Sequence, residues 1–152
     1  MKRLSNQEIA RVLFEIGEYL KMQEIAFKPQ AYEKASESIA AMRDSVADLY
    51  IREGRSGLTM IEGVGEGIAD VIEDLLKTGK SRRHAELKKK TPVDLTGLLA
   101  VEGLGPKSVR RLYKELGIRT LKDLERAAKK GNIATLEGFG KKSEENILRG
   151  IE

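Results

Sequence analysis

The sequence predicts an all-α protein built of two small helical modules, and three observations carry that reading. Helix start and stop signals recur almost from end to end. No stretch shows the period-two alternation and β-branched enrichment of a strand. The Thr91-Pro92 pair interrupts the pattern, and the units after it are shorter. With 152 residues the chain fits one compact domain or two small ones at most. The modules are expected at residues 1–88 and 92–152.

Taken in order, Ser5 and Glu8 form a capping box, after which Ile9, Val12, Leu13, Ile16 and Leu20 recur at helical spacing. Pro29 suits the first turn of a second helix whose apolar side would use Tyr32, Ala35, Ile39 and Met42. Ser45 and Asp48 start a third helix that Gly54 ends, and residues 54–57 are expected to be a turn. A helix from about Glu66 to Lys77 stops at Gly79. The basic segment 81–90 ends before Thr91-Pro92, because a residue preceding proline avoids helical angles. Pro106 opens a helix that Gly117 closes, and Thr120 with Asp123 starts another that Gly131 closes.

Composition narrows the function. Cysteine is absent, which removes disulfides, zinc ribbons and thiol catalysis and suits a reducing compartment. The start of the chain lacks a signal peptide's apolar stretch, and no run approaches the ~20 residues of a membrane span. A cytoplasmic, monomeric protein is expected. The net charge of +4 is uneven: residues 1–79 carry 10 Lys and Arg against 14 Asp and Glu, and residues 80–152 carry 18 against 10. A basic half beside an acidic half suggests a polyanion partner for the second half only. Solvated helix faces with a chance imbalance are the plainer alternative.

One template occurs three times, as Ile61-Glu-Gly-Val-Gly-Glu-Gly-Ile, Val101-Glu-Gly-Leu-Gly-Pro-Lys-Ser and Leu136-Glu-Gly-Phe-Gly-Lys-Lys-Ser. Each copy runs into a helical stretch. A turn of two glycines around an apolar residue, between helices, is a helix-hairpin-helix. Val64, Leu104 and Phe139 would tuck between the helices and fix the corner. The helix after the corner would then offer unpaired backbone N–H groups and the positive end of its dipole, a natural seat for phosphate. Such a contact reads the backbone of a nucleic acid and not its bases. A dinucleotide-binding loop would need a preceding strand and a βαβ unit, and a Walker loop its Gly-Lys-Ser/Thr ending; none of these is present.

The copies differ in the residues just beyond the second glycine. Gly103 and Gly105 lead into Lys107, Ser108, Arg110 and Arg111, which add cations and a hydroxyl. Gly138 and Gly140 lead into Lys141, Lys142 and Ser143, then Glu144 and Glu145. Gly63 and Gly65 lead into Glu66 and Asp70, which would repel a phosphate. The second corner is expected to grip most firmly and the first least, or to serve only as a compact connector. His84, the sole histidine, is expected to be a solvated helix residue.

With these motifs in hand, the chain resembles the amino-terminal region of bacterial and archaeal family X DNA polymerases. The most specific stretches are Lys28 to Ala35, Gly63 to Lys80, Val101 to Ile118 with Thr120 to Leu124, and Leu136 to Ile151. The resemblance to the beta-type enzymes implies a small domain for the 5′-phosphate side of a gap and a helix-hairpin-helix subdomain for the primer-side duplex. It implies a K⁺ or Na⁺ ion on the carbonyls of Thr59, Ile61 and Val64, and another on those of Leu99, Val101 and Leu104. It sets Gly103, Gly105, Lys107 and Ser108 against primer-strand phosphates. Lys28 and Tyr32 fall at the 5′-phosphate pocket, with Lys34 and Arg83 as further cations. A packed core role for Tyr32 stands beside that one.

The departures bear on activity. The lysine that forms a Schiff base in beta-type lyases aligns with Val71, and a second helpful lysine aligns with Gly67; Lys77 or Lys80 would have to substitute. No Asp-x-Asp occurs, so the carboxylates that hold paired Mg²⁺ ions for nucleotidyl transfer would belong to a complete polymerase. The chain is expected to be a piece of such a polymerase or a freestanding DNA-binding remnant. The resemblance thus implies sequence-independent binding of gapped or primer–template DNA, in base excision repair, near the nucleoid. A 5′-deoxyribose-phosphate lyase and a protein-interaction module are the alternatives.

Overall fold

In the computed structural model, which describes residues 3–25 and 28–151, the described residues form helices and no strand. The chain divides at the Thr91-Pro92 peptide into two compact units, Met1–Thr91 and Pro92–Glu152.

The first unit holds α1 (Asn6–Met22), α2 (Lys28–Ala41), α3 (Val46–Glu53), α4 (Arg55–Thr59), α5 (Glu66–Thr78) and α6 (Arg82–Lys90). The Ser5 hydroxyl accepts from the Glu8 N–H and Glu8 reaches back to the cap, so α1 begins where its sequence signal lies. Ile9, Leu13, Ile16 and Leu20 are fully buried, whereas Val12 is only half-buried; Tyr19 joins the core instead. Both α2 and α6 pack on α1, which explains why its buried surface exceeds one stripe and takes in Glu15 and Glu18. Lys21 pairs with Glu18 and Glu33 at the edge of that surface. Met42 falls beyond the end of α2 and is half-buried.

Residues 54–57 are not a simple turn. Gly54 breaks the chain and α4 begins at once, because Leu58 is drawn into the core and carries a helical turn with it. The hydroxyls of Ser56 and Thr59 donate to the carbonyls of Glu53 and Ser56. Here tertiary burial outweighs local turn chemistry.

The second unit holds α7 (Leu95–Leu99), α8 (Pro106–Leu116), α9 (Leu121–Lys129) and α10 (Lys141–Ile151) around Leu95, Leu98, Leu112, Leu124 and Ile133. The Asp94 carboxylate caps α7 at the Gly97 N–H, 3.0 Å away, and the Thr120 hydroxyl caps α9 at the Asp123 N–H. The segment from 131 to 138 forms successive turns where the other corners have a short helix. Buried Glu144 explains how these turns are held: its Oε2 accepts the Ala134 N–H at 2.8 Å.

The unit boundary also relocates the charge. Residues 80–91 carry six Lys and Arg against one Glu, and residues 92–152 carry twelve against nine. The basic excess of the second half therefore sits largely on α6, in the first unit, and the charge argument does not single out the second unit. Among the described residues no helix is long and apolar enough to cross a membrane.

Replacing Glu144→Ala leaves the Ala134 N–H without its acceptor and is expected to cost about 1–3 kcal/mol of second-unit stability. Glu144→Gln keeps an acceptor and should recover most of the loss; thermal melting of both variants checks this.

Candidate nucleic-acid interface

The three corners share one backbone. Gly63, Gly103 and Gly138 have φ of +84°, +92° and +85°, a left-handed conformation that glycine alone adopts without strain. One hydrogen bond closes each turn, from Val64 to Ile61 at 3.0 Å, from Leu104 to Val101 at 3.1 Å, and from Phe139 to Leu136 at 3.1 Å. The next helix then starts on the second glycine, with Ala69, Val109 and Glu144 donating back to Gly65, Gly105 and Gly140.

How these helices begin sets them apart. Ser5, Ser45, Ser81, Asp94 and Thr120 cap α1, α3, α6, α7 and α9 with a side chain. Gly65 and Gly105 supply no such cap, so the first N–H groups of α5 and α8 lack that partner. A Cβ built at Gly65, Gly105 or Gly140 would meet nothing within 4 Å. The approach to each helix end is open.

Around the first corner the charges are already engaged. Arg55 pairs with Glu66 at 2.8 Å, Asp70 at 2.7 Å and Glu73 at 3.4 Å, along one face of α5. Its hydrogen bond to Glu66 is the chief cause that raises the Arg55 pKa above the ordinary value. Lys34 pairs with Glu62, 3.7 Å away. Gly63 packs on α2, where a Cβ would stand 3.3 Å from the Ala35 nitrogen.

Beside this corner lies an open groove of about 890 Å³, to which Lys28, Tyr32, Gly63 and Gly65 all contribute. Arg83 lines it too, beside the Tyr32 hydroxyl. Tyr32 is buried, which raises its pKa above the ordinary value, while the Arg83 charge opposes the rise. The core and groove roles of this tyrosine are thus compatible. Val71 and Gly67 line the groove, and neither can form an imine; Lys77 also lines it, 3.8 Å from Glu73. Arg82 and Asp74 were not expected there, being brought in by the packing of α6 on α5.

In the second unit, the second and third corners face one cleft of about 270 Å³. Gly103, Lys107 and Ser108 come from one side and Gly138, Ser143 and Asn146 from the other. Asn146 escaped the sequence reading, although it lies three residues from Ser143 and so on the same face of α10. Lys107 is exposed, Ser108 half-buried, and Gly140, Lys141 and Lys142 stand at the start of α10, the two lysines exposed. Arg110 is half-buried and does not line the cleft.

Arg111 serves a different purpose from the one its charge suggested. Its guanidinium bonds the Glu137 carbonyl and the Glu115 carboxylate, and its carbon lies 5.3 Å from the centroid of the Phe139 ring. Phe139 is consequently half-buried beneath an arginine, unlike Val64 and Leu104, which are buried. Glu144 is turned toward Ala134, so it does not oppose an anion at the third corner as its sequence position implied.

The carbonyls suggested for a monovalent cation fall at equivalent places in two corners. Those of Ile61 and Val101 each accept one turn N–H, leaving a lone pair available. Thr59 and Val64, with Leu99 and Leu104, flank them in the same turns.

Comparison with known proteins agrees with this geometry. Residues 4–81 match the family described as "Helix-hairpin-helix domain", and residues 95–152 match "SAM-like Helix-hairpin-helix tandem". Over 149 residues, 97% of the chain, it is 32% identical to the DNA polymerase/3′-5′ exonuclease PolX of Bacillus subtilis. It spans 25% of that protein's length. A segment of 52 residues is 46% identical to the DNA ligases of Phocaeicola vulgatus and of Natranaerobius thermophilus, covering 34% of this chain and 8% of each ligase. The chain belongs to the helix-hairpin-helix domain family, and within it corresponds to the amino-terminal region of PolX-like family X proteins.

Proposed function

We propose that this chain binds DNA by its sugar–phosphate backbone without reading base sequence, and that its preferred form is gapped or primer–template duplex. The observation that carries the reading is the glycine-started α8. Its first N–H groups have no side-chain cap, the space before them is open, and Lys107 and Ser108 stand on its first turn. Phosphate matches this arrangement in charge and in hydrogen-bonding capacity. The third corner faces the same cleft, which supports two phosphate contacts from one unit.

In this proposal the groove of the first unit receives the 5′-phosphate side of a gap, with Lys28 and Arg83 supplying charge. The Ile61 and Val101 carbonyls, with their turn neighbours, would hold a K⁺ or Na⁺ ion that neutralises part of the phosphate charge. Because Val71 and Gly67 occupy the positions a lyase would give to lysine, the residues of the groove favour binding over chemistry. Titration of intact, nicked, gapped and single-stranded DNA, with and without a 5′-phosphate and at two salt concentrations, tests the preference. Equal affinity for gapped and intact duplex would remove the gap from the proposal.

Gly105 has extended backbone angles and open surroundings, so valine fits the fold there while obstructing a ligand. Gly105→Val is expected to lower DNA affinity by about tenfold or more, ~1.4 kcal/mol. Gly65→Val should cost least, since the carboxylates around Arg55 already disfavour phosphate at that corner. Unchanged binding by a folded Gly105→Val protein would refute the corner as the contact.

Lys107→Ala should weaken binding alike for all sequences. It should also flatten the log–log salt dependence by about 0.9, one duplex phosphate contact. A protein partner in place of DNA would leave no such slope to change.

A further inference from the structure

Helix α6 is hard to account for as part of the core. Of its nine residues only Leu87 is buried. Polar contacts hold it in place instead. The Ser81 hydroxyl accepts the His84 N–H at 3.2 Å, and the Asp74 carboxylate accepts the Arg82 N–H at 2.9 Å. The His84 ring meets Glu15 at 3.1 Å, and the Gln23 amide donates to the Thr91 hydroxyl at 3.2 Å. These pins fix both ends of a helix that buries little of its own surface. His84, expected to be solvated, is half-buried and is one of them.

The surface of α6 is dominated by charge. Residues 80–91 carry a net +5, against −4 for all of residues 1–79. Lys88, Lys89 and Lys90 are exposed, and none has a carboxylate partner among the described residues. Lys21, Lys34, Lys77 and Lys129, by contrast, each pair with a carboxylate. Arg82 and Lys89, seven residues apart, share the outward row of the helix with Glu86, its sole acid. Lys88 and Lys90 flank that row. At its other end α6 brings Arg82 and Arg83 to the groove.

We propose that α6 is a second backbone-binding surface, a cationic rail along which the phosphates of a DNA strand run away from the groove. At 1.5 Å per residue the nine-residue helix is roughly 13 Å long. Measured along the duplex axis, each strand presents a phosphate every ~3.4 Å, so a rail lying parallel to that axis spans about four nucleotides of one strand. This inference rests on the DNA-binding reading above and extends it from the groove to the exposed lysines of α6.

The test uses the full chain carrying Lys88→Gln, Lys89→Gln and Lys90→Gln together, with Lys89→Gln alone as a milder variant. Binding to a 5′-phosphorylated gapped duplex is monitored by fluorescence anisotropy over a salt series, beside Lys107→Ala, and thermal melting verifies the fold. The triple variant is expected to reduce the salt slope by about 2 to 3 units and the affinity at 0.15 M salt by more than about tenfold, and Lys89→Gln to reduce the slope by about one unit. A wild-type slope in both variants, with Lys107→Ala still flattening it, would overturn the rail and leave the corner reading intact. Absence of DNA binding by the wild-type chain would overturn both. Loss of binding to a poly-glutamate probe, with an unchanged DNA slope, would overturn the rail in favour of an acidic polypeptide.

Discussion

The structure turns on one backbone event repeated three times: a left-handed glycine that aims the start of a helix at empty space. A side chain at the first glycine would strain the turn, and a cap at the second would satisfy the amides internally. At the first two corners both are absent, so α5 and α8 begin with N–H groups that no side chain caps. That unspent hydrogen-bonding capacity is what the proposed contact with phosphate would draw on. The buried Val64 and Leu104 hold their corners in shape, so the donors are oriented before any ligand arrives.

Identical backbones have acquired different roles through their neighbours. At the first corner, Arg55 gathers three carboxylates of α5 and leaves an acidic margin around a sound helix terminus. At the second, Pro106 occupies the position where an N–H is least missed, and Lys107 with Ser108 comes next on the same turn. The third corner replaces the short leading helix by turns and recovers the lost order with Glu144. Geometry alone therefore does not rank these sites; the side chains within one turn of each glycine do.

Much of this was legible in the sequence because the signals are local. A capping serine and its partner lie three residues apart, and the Gly-apolar-Gly template needs only eight residues to declare itself. The five-residue helices α4 and α7 were harder to read, since they are shorter than the spacing that marks an amphipathic face and exist because Leu58, Leu95 and Leu98 are buried. The partners of Arg55 lie 11 to 18 residues away, and those of Arg111 include a carbonyl 26 residues on. Composition announces a cation in such cases but not whether it faces a ligand or a neighbouring loop. The same limit applied to charge counted by halves, which credited to the second unit what α6 carries on the first.

Arg111 has one more implication. By tying the third turn to α8, it joins the second and third corners into one jaw. On the proposed reading, once one corner had seated, the other would meet its phosphate as an intramolecular event, at the high effective concentration of a short tether. Two individually feeble grips then release only when both let go together. A jaw of this kind would lengthen residence on a strand while leaving each contact weak enough to be exchanged one step at a time.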